Sequence, residues 1–341
     1  MAPYKDFIPP NTALAGARRI GVYDSHGNRV GQIPLGPLTP PNPGKRLYSF
    51  GALSDVHLGK AEDANEQKDF ANALTYLNNA ECVAFTCICG DLTEGGSTTQ
   101  LTEFEDYINR YSANTPVYAV TGNHDAWNGD IENQIETYTG HPLYYSFTHG
   151  NDVFIMVGIK NDADVFTTAE SQWLYETLET NRNKRCFVFQ HALRFDGCGN
   201  PYAGVSPTYD MLTGTTGAVF KSLVSHYPNV IWFHGHSHTA FDSQADNDTA
   251  NYDKKFGIHS VHIPSISGPR AFDGSAYIPQ YTKSEGYVVD VYPDGIHLRG
   301  RDFVKGEFLP IASYWLETEL VEVPGGTYVD GTGTIDTEVI V

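Results

Sequence analysis

Five apolar runs of strand length each end on a short motif of Gly, Asp, Asn and His. Leu47–Leu53 leads into Asp55-Val56-His57, and Cys82–Cys89 leads into Gly90-Asp91. Pro116–Val120 leads into Gly122-Asn123-His124-Asp125, Cys186–Phe189 into Gln190-His191, and Val230–Phe233 into Gly235-His236-Ser237-His238. Runs this apolar belong to strands buried on both faces, which need helices or a second sheet to cover them. Between them the spacing predicts amphipathic helices. Phe70, Leu74 and Leu77 mark one over Asp63–Ala80, and Leu101, Phe104, Tyr107 and Ile108 mark one over Thr99–Tyr111. A third is expected over Trp127–Tyr138 and a fourth over Thr168–Thr180, with Thr167 or Thr168 as N-cap. A fifth, Val219–Tyr227, stops at Pro228. Strands alternating with helices define an α/β chain, and its ligand-binding rim lies past the strands' C-terminal ends. All five motifs fall on that rim.

The ends of the chain read differently. Arg19–Tyr23 and Arg29–Ile33 alternate apolar and polar residues around Asp24-Ser25-His26-Gly27-Asn28, as a β-hairpin does. A proline-rich linker, Pro34 to Gly44, follows, so 1–45 is expected to be a separate element. A main domain is expected over 46–304, with a hairpin over Tyr144–Thr148 and Val153–Ile159. It turns β-rich after Gln244, with strands at Gly257–Ile263, Glu285–Val291 and Ile296–Val304. The Gly- and Thr-rich remainder, 305–341, is expected to be a β-type appendage.

Charge and cysteine content narrow the function. A net charge of −19 argues against extended contact with a nucleic-acid backbone, which needs Lys and Arg, but leaves room for bound cations and a small phosphate ester. Runs such as Val153–Ile159 are too short to span a bilayer, and Met1–Asp6 lacks the start of a secretory signal, so neither a membrane nor export is expected. Five cysteines, an odd number set mostly in apolar runs, suit reduced thiols and a cytoplasmic setting.

The chemistry sits in the motifs. Asp55 and His57, two apart, would point the same way in extended chain. Asp91 follows a glycine that lets the backbone turn sharply; as a helix N-cap it would be unremarkable. Asn123 is a turn residue or an amide ligand, and His191 a half-buried strand-end histidine or a ligand. His236 and His238, flanking one small residue, converge readily on one metal or on two adjacent ones. Such N/O sets accept Mn, Fe or Zn. Asp125 could orient His124 or cap the following helix. Arg194 and Arg270 could grip a phosphate oxygen or form surface ion pairs. His234, His259 and His262 read mainly as packing residues. Cys198 lies in a Gly-rich loop, and Phe195–Thr216, bearing Tyr202 and Tyr209, has the length of a lid.

Taken in order, Asp-x-His, Gly-Asp, Gly-Asn-His-Asp, His and Gly-His-x-His resemble the calcineurin-like metallophosphoesterase superfamily, and within it the class III cyclic-nucleotide phosphodiesterase and glycerophosphodiesterase group. The likeness runs over roughly 46–300. It implies a four-layer αββα sandwich, here with a small N-terminal β-hairpin and a β-rich C-terminal extension. It also implies two metals: Asp55, His57 and His238 on one, Asn123, His191 and His236 on the other, and Asp91 bridging. His124 would stand beside the substrate phosphate as acid or electrostatic stabiliser. Every ligand position holds the expected residue type, which argues against a metal-free relative. Glu94 stands three residues after Asp91, where purple acid phosphatases carry tyrosine, so no iron–tyrosinate is expected. The implied reaction is hydrolysis of a phosphodiester by metal-activated hydroxide. The alternatives are a phosphomonoesterase or nucleotidase, and a metal-binding docking protein that forms oligomers through its terminal arms.

Overall fold

The computed structural model describes residues 44–61, 65–129, 131–160, 167–192, 198–199, 226–243, 251–254, 257–272 and 277–318, and the strands at 19–23, 29–34, 327–329 and 334–336. Arg194, Tyr202 and Tyr209 lie outside the described residues, as does all but the last two residues of the helix expected at Val219–Tyr227.

In chain order the elements are β1 (Arg19–Tyr23), β2 (Arg29–Pro34), β3 (Tyr48–Leu53), α1 (Glu66–Asn79), β4 (Thr86–Cys89), α2 (Thr98–Tyr111) and β5 (Val117–Val120). Then come α3 (Asn123–Ala126), α4 (Ile131–Thr139), β6 (Tyr144–His149), β7 (Asp152–Val157), α5 (Thr168–Thr180), β8 (Cys186–Gln190) and β9 (Val230–His234). They are followed by β10 (Tyr252–Asp253), β11 (His259–His262), β12 (Arg270–Phe272), β13 (Tyr277–Pro279), β14 (Glu285–Val291), β15 (Gly295–Asp302), β16 (Glu307–Glu317), β17 (Thr327–Val329) and β18 (Thr334–Asp336).

Two six-stranded sheets form the middle of the molecule, ordered β16-β15-β14-β3-β4-β5 and β10-β11-β9-β8-β7-β6. In the first, β3, β4 and β5 are parallel and β14 runs antiparallel to β3. In the second, β7, β8, β9 and β11 are parallel. The sheets face each other across an aromatic core. Phe50 meets Phe154 edge-on at 5.2 Å, Phe154 stacks on Phe187 at 4.7 Å, and Phe189 stacks on Phe233 at 4.7 Å. β4, β7, β8 and β9 are buried at every residue because the sheets cover one face and helices the other.

The helices follow their sequence signals. α1 turns Phe70, Ala73, Leu74 and Leu77 inward. α2 opens with a reciprocal cap in which Ser97 Oγ accepts from the Gln100 amide and the Gln100 side chain accepts from the Ser97 amide, and α5 repeats it with Thr167 and Glu170. The helix expected over Trp127–Tyr138 begins later, as α4 from Ile131, after a short α3 over Asn123–Ala126; Gly129, between the two, takes a φ of 82°. β16 pairs with β15 at the edge of the first sheet, and β1–β2 and β17–β18 form separate two-stranded hairpins. Among the described residues no helix is long and apolar enough to cross a membrane.

The motif strands divide between the sheets: β3, β4 and β5 lie in the first, β8 and β9 in the second. The rim is therefore a double one, with the C-terminal ends of both parallel segments facing a shared space.

Candidate metal centre

The loop after β3 lies along the loop after β4. The amides of Asp55, Val56 and His57 donate to the carbonyls of Gly90 and Asp91 at 2.8–3.1 Å, and the Leu58 amide donates to Leu92 at 3.2 Å. Asp55 and His57 are not in extended chain as the sequence suggests. Their φ angles are 54° and 52°, and Asp91 (49°), His236 (72°) and His238 (59°) share this left-handed conformation. A bulky residue there is uncommon and strained, and such strain gathers at functional sites. The sharp turns, not strand alternation, aim these side chains inward.

Glycines make the space. Gly90 has a φ of 85°, and a Cβ on it would overlap the His191 ring. A Cβ on Gly122 would overlap the Asp91 carboxylate.

All seven candidate ligands converge. Asp55, His57, Asp91 and His238 form one group of ligand atoms lying within 4.8 Å of one another, and Asp91, His191 and His236 form a second. Asn123 Oδ1 joins the second, 3.0 Å from His236 Nδ1. In the first, His238 Nε2 lies 3.0 Å from both His57 Nε2 and Asp55 Oδ1. In the second, His191 Nε2 lies 3.1 Å from Asp91 Oδ2. All are buried.

The electrostatics of this cluster are those of a site short of positive charge. Burial alone would push Asp55 and Asp91 up, but the surrounding imidazoles hold both well below the usual carboxylate range. Burial would lower His191, yet Asp91 and Asp55 push it up to about 9. His236 is lowered to about 4 by burial and by the charge on His191, and burial also holds His238 well below its usual value. Asp91 Oδ2 and His191 Nε2 are buried 3.1 Å apart, yet neither makes a well-aligned hydrogen bond to the other or to any other described residue, and buried polar atoms seldom stay so. Two carboxylates, an amide oxygen and four imidazoles around such orphaned atoms fit a pair of borderline-hard cations.

The remaining imidazole nitrogens are oriented. His191 Nδ1 is 2.7 Å from the Cys89 carbonyl and His57 Nδ1 is 2.7 Å from Glu94 Oε2, which leaves Nε2 of each toward the cluster. The sequence shows Glu94 only as the absence of a tyrosine; its position three residues past Asp91 is the signal that could have marked it. Burial would raise the Glu94 carboxyl, but the hydrogen bond and charge of His57, then of His124, pull it below the ordinary value.

His124 belongs to neither of these two groups but forms a third with His57 and Glu94; its side chain is 21% exposed, with Nδ1 2.9 Å from the Glu94 carbonyl. The hydrogen bonds of Asp125 go elsewhere. The Asp125 carboxylate accepts from the amides of Gly122 (2.8 Å), Leu92 (3.0 Å) and Thr93 (2.9 Å) and from the Thr93 hydroxyl (2.8 Å). It closes the first turn of α3 and ties that turn to the loop after β4. Among so many donors it would be acidic, but burial and then the charge on Asp91 raise it to about 6.

Behind the metal-facing turn, Ser237 Oγ donates to the Gly199 carbonyl at 2.5 Å and lies 2.9 Å from His262 Nε2. Buried Cys198 lies 3.4 Å from His234 Nε2, so this part of the loop packs on the turn and presents no nucleophile to the centre. His259 is held by Tyr252 and the Glu317 carbonyl, a packing role. The Arg270 amide donates to the His238 carbonyl at 2.6 Å, and its guanidinium charge contributes to the low pKa of His238. All five cysteines are free thiols, and only Cys82 is exposed.

Paired sheets whose strand ends converge on an Asp/His cluster define an α/β metallohydrolase. More narrowly, the chain belongs to the calcineurin-like phosphoesterase family, whose model matches residues 48–240. No curated protein matches it. Among solved structures it is similar to GAP50, the anchor in the inner membrane complex of Plasmodium, at 17% identity and a TM-score of 0.54, covering 81% of this chain and 90% of that one. It is also similar to the NAD nucleotidase of Haemophilus influenzae, at 12% identity and a TM-score of 0.40, covering 77% of this chain and 53% of that one. A third is Vacuolar Protein Sorting 29 from Cryptosporidium parvum, at 13% identity and a TM-score of 0.41, covering 80% and 100%. At these identities the likeness concerns the fold. The family and the Asp/His cluster together support a metal-dependent phosphoesterase.

Proposed function

We propose that this protein is a dinuclear-metal phosphoesterase that favours phosphodiesters, with Mn, Fe or Zn as its metals. The observation that carries the reading is that Asp91 belongs both to the group with Asp55, His57 and His238 and to the group with His191 and His236. Asp55, His57 and His238 would hold one cation, Asn123, His191 and His236 the other, and Asp91 would give an oxygen to each. When bound, the pair would supply an activated water and draw charge from the phosphoryl oxygens.

The chain's own groups do the rest. Glu94 keeps the His57 ring turned so that Nε2 faces the cluster. His124 Nδ1–H donates to the Glu94 carbonyl, so the ring would give a proton from Nε2 to the departing alkoxide as an imidazolium and be left neutral with Nδ1–H still in place. The Glu94 carboxylate, 3.8 Å from His124, disfavours a second negative charge at that end of the site. A diester carries one charge and a monoester up to two, so the diester approaches at lower electrostatic cost.

The test is hydrolysis of bis(p-nitrophenyl) phosphate against p-nitrophenyl phosphate by Mn-reconstituted protein, with Asn123→Ala as control. Faster diester cleavage that collapses in the variant supports the reading. Monoester preference would move it to a nucleotidase, and no cleavage of either ester with two metals bound would count against catalysis. A docking role is the second reading, favoured by the likeness to a Plasmodium anchor protein and by the hairpins at both ends. An oligomer lost on removing 1–45 and 319–341 would support it. The substrate would be a small phosphate ester, and free thiols suit a reducing, cytoplasmic setting.

A further inference from the structure

A run of aromatic rings leads from the ligand cluster to the surface. The His238 ring lies 4.7 Å from His57, His57 lies 4.6 Å from His124, and His124 lies 3.8 Å from the indole of Trp127. The burial changes along it: His238 and His57 are buried, His124 is partly exposed, and Trp127 is 54% exposed. A single exposed apolar side chain needs no explanation. This one lies over the ring that would face the leaving group, with more than half of its surface uncovered.

The direction of the leaving group follows from the assignment of His124. If His124 gives its proton to the departing alkoxide, the alkoxide oxygen sits at His124 and the group attached to it extends outward past that ring. The next surface outward is the indole. The Glu94 carboxylate lies 3.8 Å from the His124 ring, so an anionic leaving group such as a diphosphate is disfavoured there.

We infer that Trp127 is a specificity-determining residue that selects phosphate esters whose neutral leaving group carries a flat aromatic ring, by stacking that ring on the indole. This rests on the phosphoesterase reading above. Aryl alcohols and nucleosides share the required chemistry, a π-face without net charge. The backbone of Trp127 closes the end of α3, its amide donating to the His124 carbonyl at 3.3 Å, and a substitution of the side chain leaves that bond in place. The indole is outside the core, so truncating it leaves no large internal cavity.

The test is binding of phosphonates, which cannot be hydrolysed, to the Mn-loaded protein by titration calorimetry. The monomethyl esters of phenylphosphonate and methylphosphonate share a singly charged head group, as a diester does, and differ in the ring; the monomethyl ester of the methylene-phosphonate analogue of AMP places a nucleobase on the same head group. In the wild type the phenylphosphonate ester or the AMP-analogue ester is expected to bind about tenfold more tightly than the methylphosphonate ester, that advantage should vanish in Trp127→Ala, and Trp127→Phe should restore most of it. Whichever ring shows the larger advantage identifies the leaving-group class. Equal binding of ringed and ringless probes in the wild type overturns the inference and leaves the phosphoesterase reading standing. Equal weakening of all probes in Trp127→Ala also overturns it, because the indole would then only brace His124. Failure of every phosphonate to bind would overturn the phosphoesterase reading, and this inference with it.

Discussion

The centre depends on residues held in a conformation that their own side chains oppose. Asp55, His57, Asp91, His236 and His238 all have positive φ between 49° and 72°. For an L-residue with a Cβ this costs roughly 1–2 kcal/mol relative to the right-handed region. His236→Gly and His236→Ala remove the same imidazole, and glycine accepts the turn. In metal-free urea melts the glycine variant should be more stable than the alanine variant by about 1 kcal/mol, and the reverse order would show that no strain is stored there. Glu94 makes a second residue-level test. Its carboxylate accepts from His57 Nδ1 at 2.7 Å. Glu94→Gln keeps the shape and loses the charge, so metal affinity is expected to fall by about 10–100-fold. Unchanged affinity in a chelator competition would mean that the pair is incidental.

Each motif belongs to a loop, and the loops are strapped to one another more than to their own strands. Asp125 is the clearest strap, with four donors from Gly122, Leu92 and Thr93 gathered on one buried carboxylate. Asp125→Asn sets an amide N–H₂ against these donors. The expected result is a loss of about 2 kcal/mol in stability together with weaker metal retention. A variant with normal stability and metal content but low turnover would instead return Asp125 to the role of orienting His124. Most of the elements were legible in the sequence, because buried strands read as apolar runs and the cap at Thr167 is a local signal three residues long. The convergent Asp/His cluster was legible for the same reason: its members lie in the loops that follow the strands. The conformation that aims it was not, since nothing in Asp55-Val56-His57 announces a left-handed turn that the loop after β4 imposes. The contacts of Glu94 with His57 and His124, and of Asp125 with Leu92 and Thr93, were not legible because these partners lie 30 or more residues away in the chain.

At the scale of the molecule, the two sheets meet at a rim that gathers charge, and stability should follow what binds there. Metal that binds the folded chain alone should raise stability by about 2.7 kcal/mol at a hundred times its Kd, and a melting temperature that ignores added Mn would count against the centre. A second whole-molecule dependence comes from Glu285, at the start of β14 and wholly buried. Its Oε2 accepts from the Phe241 amide at 2.7 Å, and Lys283 Nζ is 3.9 Å from Oε1. Burial outweighs both and pushes the carboxyl up from 4.5 to about 8, with Asp242 and Asp302 adding repulsion. The folded state thus keeps a proton that the unfolded chain releases. Its contribution is full below pH 4.5 and is lost as pH rises through about 8. Metal-free protein should therefore lose stability between pH 5 and pH 8.5, by an amount on the order of a few kcal/mol from this group. Glu285→Gln can still accept from Phe241 and carries no charge, so it should flatten that slope. Glu170, raised to about 7 by burial, acts in the same direction, so some slope should remain. Identical slopes in the wild type and Glu285→Gln, read by urea melts at both pH values, would show that the strand accommodates the ionised carboxylate without cost.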